Sequence, residues 1–200
     1  MGIIVAILCL ALVGSSFIGF GTALFSGAGD QAGKAAEILR QEYAERTARA
    51  AQLEEKMAEN PDNTALRLSL ADAYFDKAIL GFQIASPEEV QADLEQAVAG
   101  YQAYLTAQTE REVEILVRLA NAAQLAGQNE LSEQTYIEIL AQDPQNVSAL
   151  YGYGVLLFYR LDEREQAVAL WEKGRTATQD PQWKKTFEDQ IANTRDSIPK

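Results

Sequence analysis

The sequence predicts an all-α protein in which an apolar N-terminal helix precedes a stack of helix pairs. An uncharged run extends from Met1 to Gly29, and signals for helix starts recur after residue 60. No useful stretch shows the strict apolar–polar alternation that is typical of a half-buried strand. The 200 residues suffice for one modest domain with a buried core and an N-terminal appendage.

The composition argues against several classes of function. A formal net charge of −12, from 29 acidic and 17 basic residues, disfavours binding to a nucleic-acid backbone. Histidine, the commonest general base and metal ligand, does not occur. The one cysteine, Cys9, lies in the apolar run, so the rest of the sequence has no disulfide or zinc-finger pattern. We therefore predict a protein that is not an enzyme and that holds no metal or cofactor.

Residues 1–29 are predicted to form a transmembrane anchor and a joint. The 23 residues from Ile3 to Phe25 contain nothing more polar than serine and threonine. A helix of that length, at about 1.5 Å per residue, matches a hydrocarbon core of about 30 Å. Secretory signals have a shorter apolar region behind a positively charged start. Cleavage after Ala28 is the alternative, and it would give a secreted protein.

Small residues recur at every fourth position of this run, along one slowly drifting helix face. Such a face lets membrane helices approach closely, although glycine and serine are also simply common in membrane helices. We predict a packing face for a second copy of the chain or for another membrane subunit. It consists of Ala11, Ser15, Gly19, Ala23 and Gly27.

The sequence gives conflicting signals about the side of the membrane. Lys34, Arg40 and Arg46 follow the span, and the positive-inside rule would place the domain behind them in the cytoplasm. A short N-terminal anchor in front of a soluble domain, however, usually projects that domain outward. We expect a single-pass protein of the cell membrane with an extracytoplasmic domain.

Residues 34–59 are predicted to form a long amphipathic helix that leads into the domain. The segment lacks proline and glycine and is rich in good helix formers. A coiled coil is the alternative, but too few heptads are apolar. The apolar residues near one face are Leu39, Tyr43, Ala50, Leu53 and Met57.

Three further signals predict helix starts. Ser86 to Glu89 reads as a capping box with proline at the first helical position. Thr109 to Glu112 has the same Thr-x-x-Glu pattern. Asp180-Pro181 is expected to open a last helix, in which Trp183, Phe187 and Ile191 share one side.

Internal repetition predicts how these helices are arranged. The segment NPDNTALRLSLADAY at Asn60 aligns without a gap with DPQNVSALYGYGVLL at Asp143, and a third turn, DPQW, begins at Asp180. The last two segments are separated by about one unit of 34 residues. The first two are separated by two such units and roughly fifteen residues more.

These segments resemble the tetratricopeptide repeat, a helix pair with small and large residues at fixed spacings. The resemblance implies about three repeats and a capping helix over 181–196, all within a domain that covers 60–198. The first repeat is about fourteen residues too long, so we expect an insertion near 81–95 that lengthens its helices or its turn. The matching positions are Arg67, Leu70, Ala71, Tyr74, Ala97 and Tyr101; then Leu116, Leu119, Ala120, Ala123, Ser132 and Tyr136; then Leu150, Tyr153, Gly154, Leu157, Ala167 and Trp171.

The resemblance also assigns roles to these residues. Small ones such as Ala71, Ala120 and Gly154 would let the two helices of a pair lie close together. Large ones such as Tyr136 and Trp171 would fill the gaps between pairs. Each pair has an apolar face that it cannot bury alone, so stacking supplies the core.

In this family the first helix of each pair lines a groove that holds peptides or partner segments. The positions carried over are Leu68, Asp72, Phe75 and Asp76; Val117, Asn121, Gln124 and Leu125; and Tyr151, Val155, Phe158 and Tyr159. The aromatic residues of the third copy have an alternative role, which is packing against the final helix.

We predict a membrane-tethered scaffold that binds a protein partner, either an extended peptide or a subunit of a membrane complex, as an assembly or accessory factor. The alternative is a structural subunit held through the small-residue face of its span. Neither function involves nucleic acid.

Overall fold

A computed structural model describes residues 29–195, with side chains from residue 33 onward. All regular secondary structure in this part of the chain is α-helical, which confirms the all-α prediction for it. The helices are α1 (Gly29–Glu59), α2 (Thr64–Gly81), α3 (Pro87–Thr106), α4 (Val113–Leu125), α5 (Asn129–Gln142), α6 (Val147–Tyr159), α7 (Arg164–Ala177) and α8 (Pro181–Arg195).

The predicted transmembrane span and its packing face, Ala11, Ser15, Gly19, Ala23 and Gly27, lie outside the described residues. Among residues 29–195, none of the helices combines the length and the apolar character that crossing a bilayer requires.

Two of the predicted helix starts are confirmed. At α3, the Ser86 hydroxyl accepts the Glu89 amide at 3.2 Å, and the Glu89 carboxylate accepts the Ser86 amide at 3.1 Å. This reciprocal pair is a capping box. At α8, an Asp180 carboxylate oxygen accepts the Gln182 amide at 2.7 Å.

The predicted capping box at Thr109 is wrong. Helix α4 begins at Val113, and its N-cap residue Glu112 makes no side-chain capping hydrogen bond. Thr109 lies before this helix and is exposed. The buried residues of α4 begin only at Ile115, so packing fixes the helix start later than the polar pattern suggested.

Two asparagine caps that the sequence analysis did not identify occupy equivalent places in the aligned segments. The Asn63 side chain accepts the Leu66 amide at 2.9 Å at the start of α2. The Asn146 side chain accepts the Ala149 amide at 3.0 Å at the start of α6. Each cap satisfies a backbone donor that the first turn of a helix leaves without an internal partner.

The described helices divide between two compact units, one with α1 to α3 and one with α4 to α8. In the first unit, α2 and α3 form a close hairpin, and α1 packs antiparallel to α2. The closeness of the hairpin is clearest at Gly100, where an added Cβ would lie 2.7 Å from the Cβ of Ala71. Arg46 of α1 donates to the backbone carbonyl of Asp76 at 3.4 Å.

The first hairpin is longer than those of the second unit. Helices α2 and α3 have 18 and 20 residues, whereas α4 and α5 have 13 and 14. With Ala71 aligned to Ala120 and Ala97 to Ser132, residues 77–93 stand where the next hairpin has only 126–128, a net addition of fourteen residues. Most of this stretch extends the two helices. Its ends, Lys77 and Asp93, form an ion pair of 2.9 Å.

Helix α1 covers this extension. Lys77 Nζ lies 5.9 Å from the centre of the Tyr43 ring, and the same ring meets Gly81 near the end of α2. Burial raises the pKa of the Asp93 carboxyl above its usual value, although the neighbouring Lys77 acts in the opposite direction. The second carboxylate oxygen of Asp93 is buried and has no hydrogen-bond partner.

In the second unit, α4–α5 and α6–α7 are hairpins and α8 packs against α7. Ser132 Oγ donates to the Ala120 carbonyl at 2.9 Å, which joins the two helices of the first of these pairs. In the next pair the indole of Trp171 lies directly over Gly154. All four residues, Ala120, Ser132, Gly154 and Trp171, are buried, as the pattern of small and large residues predicted.

Candidate functional site

The predicted groove residues form one stripe on the first helix of each hairpin. Members of a stripe are four residues apart, a spacing that places them on one helix face. The stripes are Leu68, Asp72 and Asp76 on α2; Val117, Asn121 and Leu125 on α4; and Tyr151, Val155 and Tyr159 on α6.

The α2 stripe is half-buried along its whole length. Asp72 Oδ1 accepts the hydroxyl of Tyr101 at 2.8 Å, and the Tyr101 side chain is fully buried in the hairpin. This hydrogen bond fixes the carboxylate in the middle of the stripe. Phe75 lies beside the stripe, is only 7% exposed, and meets the edge of the Tyr101 ring at 6.5 Å.

The α4 stripe repeats this arrangement. Its three members are half-buried, and the central Asn121 accepts the hydroxyl of buried Tyr136 at 2.7 Å. The Asp72 carboxylate and the Asn121 amide are therefore each held by a tyrosine from the second helix of the same hairpin. Such fixed polar groups on a partly open face lower the entropic cost of binding.

Gln124, next to this stripe, belongs to the core. It is 3% exposed. In the orientation that satisfies both ends of its amide, the nitrogen donates to the Gly152 carbonyl at 3.3 Å and the oxygen accepts the Leu156 amide at 3.2 Å. Gln124 therefore links α4 to the backbone of α6.

The α6 stripe is largely covered. Tyr151 and Val155 are 0% and 1% exposed. The Tyr151 ring centre lies 5.6 Å from that of Trp183 and 6.0 Å from that of Phe187, both on α8.

The two remaining aromatic residues of this copy are half-buried, and Phe158 packs at 6.1 Å against Trp171 and at 4.6 Å against Tyr159. Packing against the final helix thus applies to Tyr151. Four predicted groove positions are therefore buried and offer no binding surface: Phe75, Gln124, Tyr151 and Val155.

A cleft opens beside the α2 stripe, between α1 and α2. It has a volume of about 490 Å³. Its lining comprises Glu42, Glu45, Arg46 and Arg49 of α1 with Ala73 and Asp76 of α2. Of these, only Asp76 was predicted as a site residue.

The sequence did contain a signal for the α1 side of this cleft. Residues 42, 45, 46 and 49 follow the i, i+3, i+4, i+7 spacing of one helix face, and all four are charged. A charged helix face is usually a solvated one, so the pattern alone did not indicate a cleft. The structure adds the second wall, because α2 runs alongside.

The described residues hold no group of three or more cysteine or acidic side chains placed to bind a metal ion. The stripes and the cleft present hydrogen-bonding, charged and apolar side chains.

Comparison with known proteins finds a likeness at the level of the fold. No protein-family model matches the sequence, and no curated protein matches it. One solved structure that is similar is a tetratricopeptide repeat protein from Parabacteroides merdae, with 17% sequence identity and a TM-score of 0.53. The match covers 80% of this chain and 60% of that one, so the chain spans about three fifths of the length of that relative. The described helices thus form a tetratricopeptide-like helical-repeat fold.

Proposed function

We propose that the protein is a membrane-tethered helical-repeat adaptor that binds a protein partner through the stripes on α2 and α4. One observation carries the proposal. In both stripes a central polar side chain, Asp72 or Asn121, is fixed by a buried tyrosine, while the apolar members Leu68, Val117 and Leu125 stay half-buried. Each stripe by itself is thus a fixed face of mixed polarity, which is suited to holding a partner segment.

Site-specific photo-crosslinking in native membranes tests the binding surface. A photo-reactive amino acid would replace Leu68, Val117 or Leu125 in turn. Matched control positions are Ile137 of α5, which is 52% exposed, and Gln96 of α3, which is exposed. We expect the same protein adduct from the three stripe positions and none from the controls. Equal adducts from both sets, or no adduct from the stripes, would refute the proposed surface.

The tether is a separate part of the proposal, supported by the uncharged run before α1. Alkaline extraction should leave the full chain in the membrane fraction and release a chain that begins at Gly29. Mass spectrometry of the mature N-terminus tests cleavage after Ala28, and protease added to intact cells tests the proposed extracytoplasmic side. Release of the full chain by alkali would contradict an anchor.

The small-residue pattern of the run favours a second candidate, a structural subunit held through its span. Gly19→Leu separates the two candidates, because a larger side chain would prevent close helix packing. Under the adaptor proposal the crosslinks from α2 and α4 survive this change. Their loss together with loss of the complex would favour the structural subunit.

A further inference from the structure

We infer that the cleft between α1 and α2 binds an arginine side chain of the partner protein. The inference rests on the proposed adaptor function and specifies what kind of segment the adaptor holds. The carboxylates of Asp72 and Asp76 already make the α2 stripe acidic, and the cleft, which shares Asp76, specifies the cation further.

The shape of the cleft suits one long side chain with its neighbours. Its volume of about 490 Å³ falls within the range of about 300–1,000 Å³ that is typical of ligand sites. Ala73 is 1% exposed and lies in the floor of the cleft. The methylene stem of an arginine would lie between the longer side chains of the two walls and leave its charged end at their polar groups.

The charges of the cleft favour a cation. Three carboxylates, those of Glu42, Glu45 and Asp76, face two guanidinium groups. One of the two, Arg46, already donates to the carbonyl of Asp76. The next cation along α2, Lys77, is paired with Asp93 and does not line the cleft.

The surroundings reinforce this preference. Residues 29–107, the described part of the first unit, contain fourteen acidic and seven basic residues. Helix α3 contains four acidic residues and neither lysine nor arginine. The summed field of the unit therefore attracts a basic segment and repels an acidic one.

Arginine fits better than lysine. Its planar guanidinium presents several donors in a fixed fork, and carboxylates on neighbouring turns of one helix can accept them together. Glu42 and Glu45 are three residues apart on α1, the spacing that brings side chains to one face.

The test uses the full chain in a zwitterionic detergent and a capped Ala-Arg-Ala peptide as the probe. Alanine methyl resonances report binding, with Ala73 in the cleft and exposed Ala92 of α3 as the internal control. We expect a saturable shift at Ala73 and none at Ala92. The matched peptide with citrulline, which lacks the charge, should bind at least about tenfold more weakly.

Two variants locate the effect. E42Q/E45Q should weaken binding of the arginine peptide about tenfold, whereas E59Q, at the far end of α1, should leave it unchanged. Both replacements keep the size of the side chain, and the thermal transition of each variant checks its folding.

Three results would overturn the inference: no shift at Ala73, equal shifts with arginine and citrulline, or unsaturable shifts at Ala73 and Ala92 alike. If one of these occurs while crosslinks from Leu68, Val117 and Leu125 persist, the adaptor function stands and only the arginine site falls. If the crosslinks are absent but the peptide binds at Ala73, the proposed stripes fall instead.

Discussion

In the first hairpin, an ion pair between Lys77 and Asp93 joins the two helices at the base of the extension, and the Asp93 side chain is buried. The hairpins of the second unit have no such extension, and α6–α7 is closed by an aromatic ring, Trp171, seated on Gly154. Both hairpins keep small residues where the helices cross, Ala71 in one and Gly154 in the other. The first hairpin therefore adds an ion pair to the close packing that both hairpins share.

The difference shows how a repeat accommodates an insertion. Residues 77–93 mostly lengthen α2 and α3 beyond the point where the two helices meet at Ala71 and Gly100. The added turns of α2 and α3 extend beyond the contacts that the repeat pattern supplies, so they need additional contacts. Lys77, Asp93 and Tyr43 of α1 provide them. The insertion and the leading helix thus depend on each other.

The largest expected effect comes from removing one partner of the ion pair. Lys77→Met should lower the free energy of unfolding of the first unit by about 3 kcal/mol, because it leaves Asp93 buried without a countercharge. The double variant K77M/D93L should recover most of this loss, since a buried pair can be replaced by apolar side chains. Hydrogen exchange of the backbone amides in α2 and α3 measures the free energy of unfolding of the single and the double variant.

The same variant has a pH dependence. The native pKa of Asp93 is already raised by burial, and loss of Lys77 removes the main group that lowers it. A carboxyl with a raised native pKa favours the folded state when protonated and loses that contribution as the pH rises through the native value. The deficit of Lys77→Met should therefore shrink between pH 7 and pH 4. A constant deficit would show that Asp93 is not the group left unpaired.

A smaller effect is expected from the close contact in the second unit. Gly154→Ala places a methyl group against the indole of Trp171, and overpacking of this kind costs about 2 kcal/mol. Urea unfolding followed by tryptophan fluorescence is selective, because Trp171 and Trp183 both lie in this unit. The control is Gly33→Ala in α1, where an added methyl meets no atom within 4 Å. Equal stability of G154A and the wild type would contradict the close-packing account.

The smallest effect tests the local start of the lengthened α3. Ser86→Ala removes one half of the capping box and should cost about 1 kcal/mol. Thr106→Ala at the other end of α3, where the hydroxyl bonds only the Gln102 carbonyl, serves as the control. Thermal unfolding of both variants compares them. A larger loss from T106A than from S86A would mean that the cap does not anchor the extension.

The helix hairpins could be predicted from the sequence because they depend on local capping signals and on residue size. The capping box at Ser86 could be predicted because a cap depends only on residues within one turn of chain. The close helix contacts at Ala71 and Ser132 could be predicted because they depend mainly on the small size of these residues. The Thr109 motif failed, because the same polar pattern also occurs outside a helix.

The candidate site was less predictable. Helical spacing puts Tyr151 on the same face as Tyr159, but it does not say which neighbour covers that face. Helix α8 does so through Trp183 and Phe187. For the same reason the cleft was missed, because its α1 wall becomes a site only beside Ala73 and Asp76.

The covering role of α8 has a consequence for anyone preparing fragments of this protein. Cleavage at Gln179, in the exposed linker before Pro181, would remove α8. Tyr151 and Gly174 would then lose their contacts with Phe187. The truncated protein would expose this aromatic surface to solvent, and exposed apolar surfaces of that kind promote aggregation. Expression boundaries should accordingly run past Arg195.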